Sequence, residues 1–194
     1  MNSAIIILAA GASSRLGRPK QLLIYQGKTL IQHVISVAEK SKADEIILVL
    51  GSDHELISKE TAIGKKTSAI VNDKWKGGMA STITIGLNFL RQNFNADFAI
   101  IAVCDQPFID TALLNELMDK HVETSKPIVA CRYENTLGTP VLFHKNLFGQ
   151  LLTLSGDEGA KKLIMQHVND VETIPFPLGG IDIDTNEQYT ALMQ

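Results

Sequence analysis

The run Ile5-Ile6-Ile7-Leu8-Ala9-Ala10 passes directly into Gly11. Six consecutive apolar residues closed by a glycine leave no polar face, which is the pattern of a strand buried on both sides. Such a strand needs a covering layer above and below it. The rest of the chain supplies those layers. Further strands are expected at Glu45–Leu50, Ala69–Val71, Asp97–Val103, Ile128–Cys131, Pro140–Phe143 and Val171–Ile174. Helical spacing falls between them. Leu30–Glu39 carries Leu30, Val34, Val37 and Ala38 on one stripe, Ser81–Gln92 carries Ile83, Leu87 and Leu90, and Thr111–Val122 carries Leu113, Leu114, Leu117, Met118 and Val122. Ala160–Gln166 and Glu187–Met193 complete the helices. Strands alternating with helices imply a three-layer α/β/α fold around a mostly parallel, Rossmann-like sheet. The whole chain, 1–194, reads as one domain with no repeat and no linker.

Composition narrows the function classes. The net charge of −3 provides no basic field for nucleic acid. No apolar run reaches about 18 residues, so no transmembrane helix is expected. The segment Met1-Asn2-Ser3-Ala4 lacks a basic stretch ahead of its apolar run, unlike a signal peptide. A cytoplasmic location follows as the expectation. Cys104 and Cys131 show no C-x-x-C spacing and are read as buried thiols.

In sheets of this kind ligands bind beyond the carboxyl ends of the strands. The segment after the first strand, Leu8-Ala9-Ala10-Gly11-Ala12-Ser13-Ser14-Arg15-Leu16-Gly17-Arg18-Pro19-Lys20, is therefore the first candidate site. Gly11 lets the chain pass close to a ligand. Ala12, Ser13 and Ser14 are small and leave their N–H groups accessible, as in an anion-binding concavity. Arg15, Arg18 and Lys20 add three positive charges with no acid among them. A triphosphate matches that charge, with Arg15 suited to bidentate contact and Lys20 to a point contact. The spacing excludes a Walker A loop, because Gly11 and Gly17 stand six apart and Arg18-Pro19 follows. G-x-G-x-x-G is also absent.

The stretch LAAGASSRLGRPKQLL resembles the signature loop of nucleotidyltransferases related to the molybdenum cofactor cytidylyltransferases and guanylyltransferases, roughly L-A-[AG]-G-x-S-x-R-[ML]-G-x-x-K. The fixed positions are met at Leu8, Ala9, Ala10, Gly11, Ser13, Arg15, Leu16, Gly17 and Lys20. The resemblance implies the fold of the nucleotide-diphospho-sugar transferases. It also implies transfer of a nucleoside monophosphate from a triphosphate to a small phosphorylated acceptor.

That chemistry needs a divalent ion, which magnesium serves with one or two carboxylates plus phosphate oxygens. Asp105 follows the Asp97–Val103 strand, and Pro107 fixes the turn after it. Asp182 and Asp184 form the second candidate pair and share a face if their segment is extended. Asp184 or Thr185 also suits the cap of the last helix, a role compatible with metal binding. The family resemblance extends to these residues. Cys104-Asp105-Gln106-Pro107 is similar to its D-x-P metal motif. Asp182-Ile183-Asp184-Thr185 is similar to its D-[IV]-D-T element, whose last acid supplies the second metal contact. Asp105 and Asp184 are thus the metal candidates.

Further segments resemble the acceptor side: Gly138-Thr139-Pro140, like G-x-P, and Gly156-Asp157-Glu158-Gly159-Ala160, like G-D-x-G-A. On this basis Gly138, Pro140, Gly156 and Asp157 are acceptor-binding candidates, and a molybdopterin-type acceptor is favoured. Gly78-Met79-Ala80-Ser81-Thr82 resembles a segment near the base and ribose, which adds Gly78, Ser81 and Thr82 to the nucleotide candidates. Ser81 and Thr82 serve equally well as helix caps. Thr84 and Lys161 depart from many relatives, which bears on acceptor identity. Ala10, in L-A-A-G, favours cytidine over guanosine triphosphate. Trp75 reads first as a loop anchor and second as a stacking platform. His33, His54, His121, His144 and His167 read as structural, with His144 the one to inspect first.

The implied reaction is in-line attack of an acceptor phosphate on the α-phosphorus, with Arg15 and Lys20 catalytic. Two competitors remain: the same chemistry on a sugar 1-phosphate or isoprenoid alcohol phosphate, and a non-catalytic accessory protein that carries the cofactor to a client molybdoenzyme.

Overall fold

The computed structural model describes residues 1–193. In chain order the elements are β1 (Ser3–Ala9), β2 (Ile24–Tyr25), β3 (Lys28–Thr29), α1 (Leu30–Glu39), β4 (Glu45–Leu50), α2 (His54–Lys59), β5 (Thr67–Val71), α3 (Met79–Asn93), β6 (Phe98–Val103), α4 (Thr111–Thr124), β7 (Ile128–Tyr133), β8 (Thr136–His144), α5 (Phe148–Leu151), α6 (Ala160–Gln166), β9 (Val171–Pro175) and α7 (Asn186–Leu192).

All seven residues of β1 are buried. Its odd positions Ile5 and Ile7 join α1 and α4 in one apolar cluster, while Ile6 and Leu8 join α3, α5 and α6 in another. The strand is therefore the centre of a sandwich of helices, and the three-layer expectation holds. Burying each Ile or Leu is worth about 1.5–3 kcal/mol, so these two clusters dominate stability.

The sheet order is β5-β4-β1-β6-β8-β7-β9. Six strands run in one direction. β8 runs against both of its neighbours. The reason is local: Tyr133 pairs with Thr136, leaving the two-residue turn Glu134-Asn135, and a connection that short permits only an antiparallel return. The residues Thr136 to Gly138, outside the strand expected at Pro140–Phe143, are paired in β8. The register slips between Ala130 and Cys131, so that Gly138 stands opposite Cys131 while Thr139 and Pro140 bulge outward. The bulge accommodates a proline that has no N–H to give the ladder.

The sequence reading also missed α2, α5 and the β2–β3 hairpin. The hairpin turn is Gln26-Gly27, both at positive φ. Only the glycine advertises that conformation in the sequence. A third, smaller cluster of Leu16, Leu23, Tyr25, Leu30 and Ile183, backed by Tyr189 and Leu192, joins this hairpin to the last segment of the chain. No helix among the described residues is long and apolar enough to cross a membrane.

α3 lies hard against the sheet at Gly86, where a Cβ would meet Ile6 Cγ2 at 2.6 Å and Val49 Cγ2 at 3.1 Å. Gly86→Val is expected to cost about 1–3 kcal/mol by overpacking, read as a lower urea midpoint with an unchanged slope.

Candidate active site

From β1 the chain moves through α1 to β4 and on to β5 on one side, then returns through α3 to β6 on the other. The loops leaving β1 and β6 thus diverge, and a crevice opens at their carboxyl ends. A cleft of about 390 Å³ occupies this position. Leu8 to Ala12 line one wall and Val103 to Asp105 another, while Trp75 to Met79 and Asp157 close the far end.

The buried side chain of Gln21 shapes the first wall. Its Nε2 donates to the carbonyls of Ala9, at 2.9 Å, and Gly11, at 3.0 Å. Its Oε1 accepts from Ser13 Oγ, which in turn accepts from the Lys20 N–H at 2.9 Å. Ser13 sits at positive φ to make this turn. Its hydroxyl is thus committed to the loop. Gly11 is exposed, and a Cβ there would meet nothing within 4 Å. The open space lies in front of the backbone, as close approach of a ligand requires. Leu8 and Ala9 form the buried base of this wall, Ala10 lies beside Gly51, and Ala12 and Ser14 are exposed on the rim.

The charges converge from three distant parts of the chain. Lys20 Nζ lies 2.5 Å from Asp105 Oδ2 and 2.7 Å from Asp184 Oδ1, across 85 and 164 residues of sequence. Arg15 Nη2 donates to Asp184 Oδ2 at 2.6 Å. The third cluster explains the encounter. Ile183 is fully buried against Leu16 and Leu23, so its neighbour Asp184 is delivered to the loop. The N–H of Ile183 bonds the carbonyl of Asp105, which ties the two acidic segments together. Arg18 departs from the expected set, since its guanidinium lies 5.5 Å over the Tyr189 ring.

These contacts set the protonation states. Burial opposes the charge on Lys20, but Asp105, Cys104 and Asp184 outweigh it and hold the ammonium well above its ordinary value. Burial likewise raises Asp184, yet Lys20 and Arg15 bring it below the carboxylate range. Asp182 has no such partner, and burial together with Asp105 and Asp184 pushes it up. Cys104, also in the cleft wall, is driven up to about 12 by burial and by Asp105. It is an inert thiol, as Cys131 is.

At the far end Gly78 adopts φ 82° and ψ −173°, a conformation essentially restricted to glycine. A Cβ there would stand 2.3 Å from the Gly156 carbonyl, which accepts the Ala80 N–H at 3.1 Å. Gly78 and Gly156 thereby clamp two loops together and place Asp157 in the cleft. Ser81 and Thr82 both accept from the fully buried amide of Asn72, and Ser81 donates to the carbonyls of Lys74 and Gly78. Their hydroxyls hold the entry to α3, whose N-cap is Gly78 without a side-chain cap bond. Thr82 still lines the cleft. Trp75 is half-buried in the cleft wall and belongs to none of the three apolar clusters.

Gly138 and Pro140 stand apart from the cleft lining. Tyr133 Oη would lie 2.1 Å from a Cβ at Gly138, so the tyrosine covers that position. They connect to the site through Gln106, whose Nε2 donates to the Thr139 carbonyl at 3.1 Å and the Gly179 carbonyl at 2.6 Å. Gln21, Asn72 and Gln106 escaped the sequence reading, because a buried amide leaves no periodic or charge signal. His144 caps a short turn through Nδ1 and packs against His121, away from the cleft.

The hard carboxylate oxygens of Asp105 and Asp184, already gathered around one cation, are the donor type that magnesium or manganese prefers. Among the described residues no group of three or more His, Cys, Asp and Glu side chains forms a preassembled metal cage. Two carboxylates suit an ion that completes its coordination with phosphate oxygens.

The profile of the MobA-like NTP transferase domain matches residues 5–171. The chain belongs to this family. It is 28% identical to the nicotine blue oxidoreductase of Paenarthrobacter nicotinovorans over 97% of this MobA-like chain and 95% of that protein. It is 27% identical to the bifunctional protein GlmU of Francisella tularensis subsp. novicida, over 89% of this chain and 37% of GlmU. Among solved structures, Rv0371c of Mycobacterium tuberculosis H37Rv superposes with a TM-score of 0.85 at 29% identity, covering 100% of this chain and 98% of that one. Rv0371c has also been solved in complex with manganese; that structure gives a TM-score of 0.81 at 28% identity, covering 99% of this chain and 98% of that one. A CMP:2-keto-3-deoxy-manno-octonic acid synthetase complexed with CTP shares the fold, with a TM-score of 0.72 at 17% identity over 100% and 98% of the two chains. The fold is that of the nucleotide-diphospho-sugar transferases.

Two expectations follow for this MobA-like protein. Gly78→Ala should lose about 1–3 kcal/mol of stability from backbone strain alone, and the clash with Gly156 should also open the far end of the cleft. Calorimetric unfolding alongside nucleotide titration would show both losses together. Asp182→Asn should raise the melting temperature at neutral pH. The penalty on Asp182 is fully present above its raised folded pKa and absent below the unfolded value of about 3.9, so the gain should vanish as pH falls through that window.

Proposed function

We propose that this nucleotidyltransferase-family protein transfers CMP from CTP to a phosphorylated, molybdopterin-type acceptor with magnesium, releasing pyrophosphate. The single observation that carries the reading is the junction of Lys20 with Asp105 and Asp184 at the mouth of the crevice. Nothing in packing alone calls for two acids and two cations at one edge of a crevice. A polyphosphate with its metal does call for them. The exposed backbone at Gly11 and Ala12 offers N–H groups to phosphate, with Ser14 on the same rim. The N-terminal part then holds the nucleotide, with Thr82 and Trp75 nearest the sugar and base. The C-terminal part, through Asp157 and the Gly138–Pro140 turn behind Gln106, faces the acceptor.

In this reaction an acceptor phosphate oxygen forms a bond to the α-phosphorus, and the bond to the β-phosphate oxygen breaks. The pyrophosphate leaves with the electron pair. An ionised phosphate nucleophile needs no general base. Arg15 and Lys20 therefore act by positioning and neutralising the charge that builds on the phosphates. A divalent ion held by Asp105 and Asp184 supplies the rest of that neutralisation when bound.

The choice of CTP rests on Ala10. Its Cβ packs at the level of Gly51, where an added Cβ would be 2.7 Å from both Ala10 Cβ and Trp75 Cβ. A methyl in so tight a wall narrows the space for a purine, an effect worth about 1–3 kcal/mol.

One finding favours a second reading: the near full-length similarity to a protein named as an oxidoreductase. A dinucleotide also presents a pyrophosphate to such a loop. Hydride transfer, however, has no use for the carboxylates gathered around Lys20, and we rank it second.

A pyrophosphate-release assay crossing CTP and GTP with molybdopterin, sugar 1-phosphates and an isoprenoid alcohol phosphate decides the matter. Turnover is expected with CTP and a pterin phosphate, and Lys20→Ala should reduce it about 10²-fold or more. Tight pterin binding without pyrophosphate under any triphosphate would instead mark an accessory protein. Reduction of a dye by a nicotinamide dinucleotide, with no pyrophosphate formed, would support the second reading.

A further inference from the structure

Lys20 occupies the position between Asp105 and Asp184 that the proposed function gives to the metal. Its ammonium touches an oxygen of each, and the Lys20 side chain is only 14% exposed. Arg15 takes the other oxygen of Asp184. An ion entering alone therefore meets carboxylates whose inward oxygens are already bonded. It would also leave the ammonium beside a divalent charge, in a half-buried setting where like charges repel strongly. The backbone of Lys20 offers no escape, because its N–H is held by Ser13 Oγ and the following Gln21 is locked to Ala9 and Gly11. Only the flexible side chain can move, and it needs a new anion to move to. A triphosphate lying on the adjacent loop is such an anion.

We infer that the site takes its divalent ion only as a chelate with the triphosphate: Lys20, paired with both carboxylates, holds their charge and cedes them when phosphate oxygens arrive to receive it. This rests on the metal reading of Asp105 and Asp184 given above. Metal and nucleotide then bind as one unit, and each strengthens the other. The protein avoids both an uncompensated acidic cluster and a loosely held free ion.

The test is Mn²⁺ binding by electron paramagnetic resonance on the full-length wild type, Lys20→Met and Lys20→Arg, each with and without a non-hydrolysable CTP analogue. Wild type is expected to bind Mn²⁺ at least about tenfold more tightly with the analogue than without. Lys20→Met, which removes the competing charge at similar side-chain length, is expected to bind Mn²⁺ alone at least about tenfold more tightly than wild type. Lys20→Arg keeps the charge and should stay as weak as wild type. Melting curves keep the comparison to folded protein, and Lys20→Arg provides the reading if Lys20→Met does not fold: Mn²⁺ alone binding tightly to wild type or to Lys20→Arg overturns the inference. So does Lys20→Met binding the ion no better than wild type, and if wild type releases pyrophosphate in that case the proposed function stands without it. Absence of Mn²⁺ binding in every protein, analogue present, removes the metal reading and this inference together.

Discussion

Two carboxylates, Asp105 and Asp184, meet at one end of the sheet, and the ammonium of Lys20 is what makes their meeting tolerable. Everything around the crevice serves that arrangement. β1 and β6 must be neighbours for the loops bearing Lys20 and Asp105 to face each other. They are neighbours because the chain doubles back across β1 after building β4 and β5, and that reversal also opens the crevice. Asp184 arrives last, from the far end of the chain, and it arrives by apolar means. The burial of Ile183 among Leu16, Leu23, Tyr25 and Leu30 is worth about 1.5–3 kcal/mol, and it pins the acid to the loop it answers.

That division of labour explains what the sequence could and could not reveal. The apolar strands and the stripes of α1, α3 and α4 were legible because burial imposes a period on the residues that undergo it. The phosphate-type loop was legible because glycine and clustered cations are rare together at a strand end. Ion pairs join Asp184, and not Asp182, to Lys20 and Arg15, and the segment that bears both acids lies outside the sheet, its direction set by Ile183. The locking amides were invisible. Gln21, Asn72 and Gln106 each fold a loop by bonding carbonyls or hydroxyls distant in sequence, and one glutamine in a string looks like any other. Arg18 shows the converse. It read as part of a cationic trio, but Tyr189, more than 170 residues away, offers its guanidinium an aromatic face.

The acceptor side was legible only as far as resemblance carried it. Gly78 is glycine because its backbone lies too close to Gly156 for a side chain, and Gly156 turns at φ 57°, where glycine is favoured. Gly138 is glycine because Tyr133 lies on it, and its bearing on the site passes through Gln106. Glycines so placed shape a cleft through backbone geometry, which leaves no periodic signal in the sequence.

The energetics point the same way as the geometry. The Arg15–Asp184 pair is two-thirds exposed on the arginine side and adds at most about 1 kcal/mol. Lys20 is less exposed, and its ion pairs are offset by the desolvation that works against its charge. Asp182 is a net cost, since it is pushed up by burial and by two acidic neighbours. A chain selected for stability alone would place apolar residues or amides at these positions. Retaining acids there, beside the loop that leaves the fully buried strand β1, makes sense where a multivalent cation and a polyphosphate are to be received together. The charges of Lys20, Asp105 and Asp184 are thus held at a cost that packing alone does not offset, as perturbed groups in a crevice often are where a ligand is received.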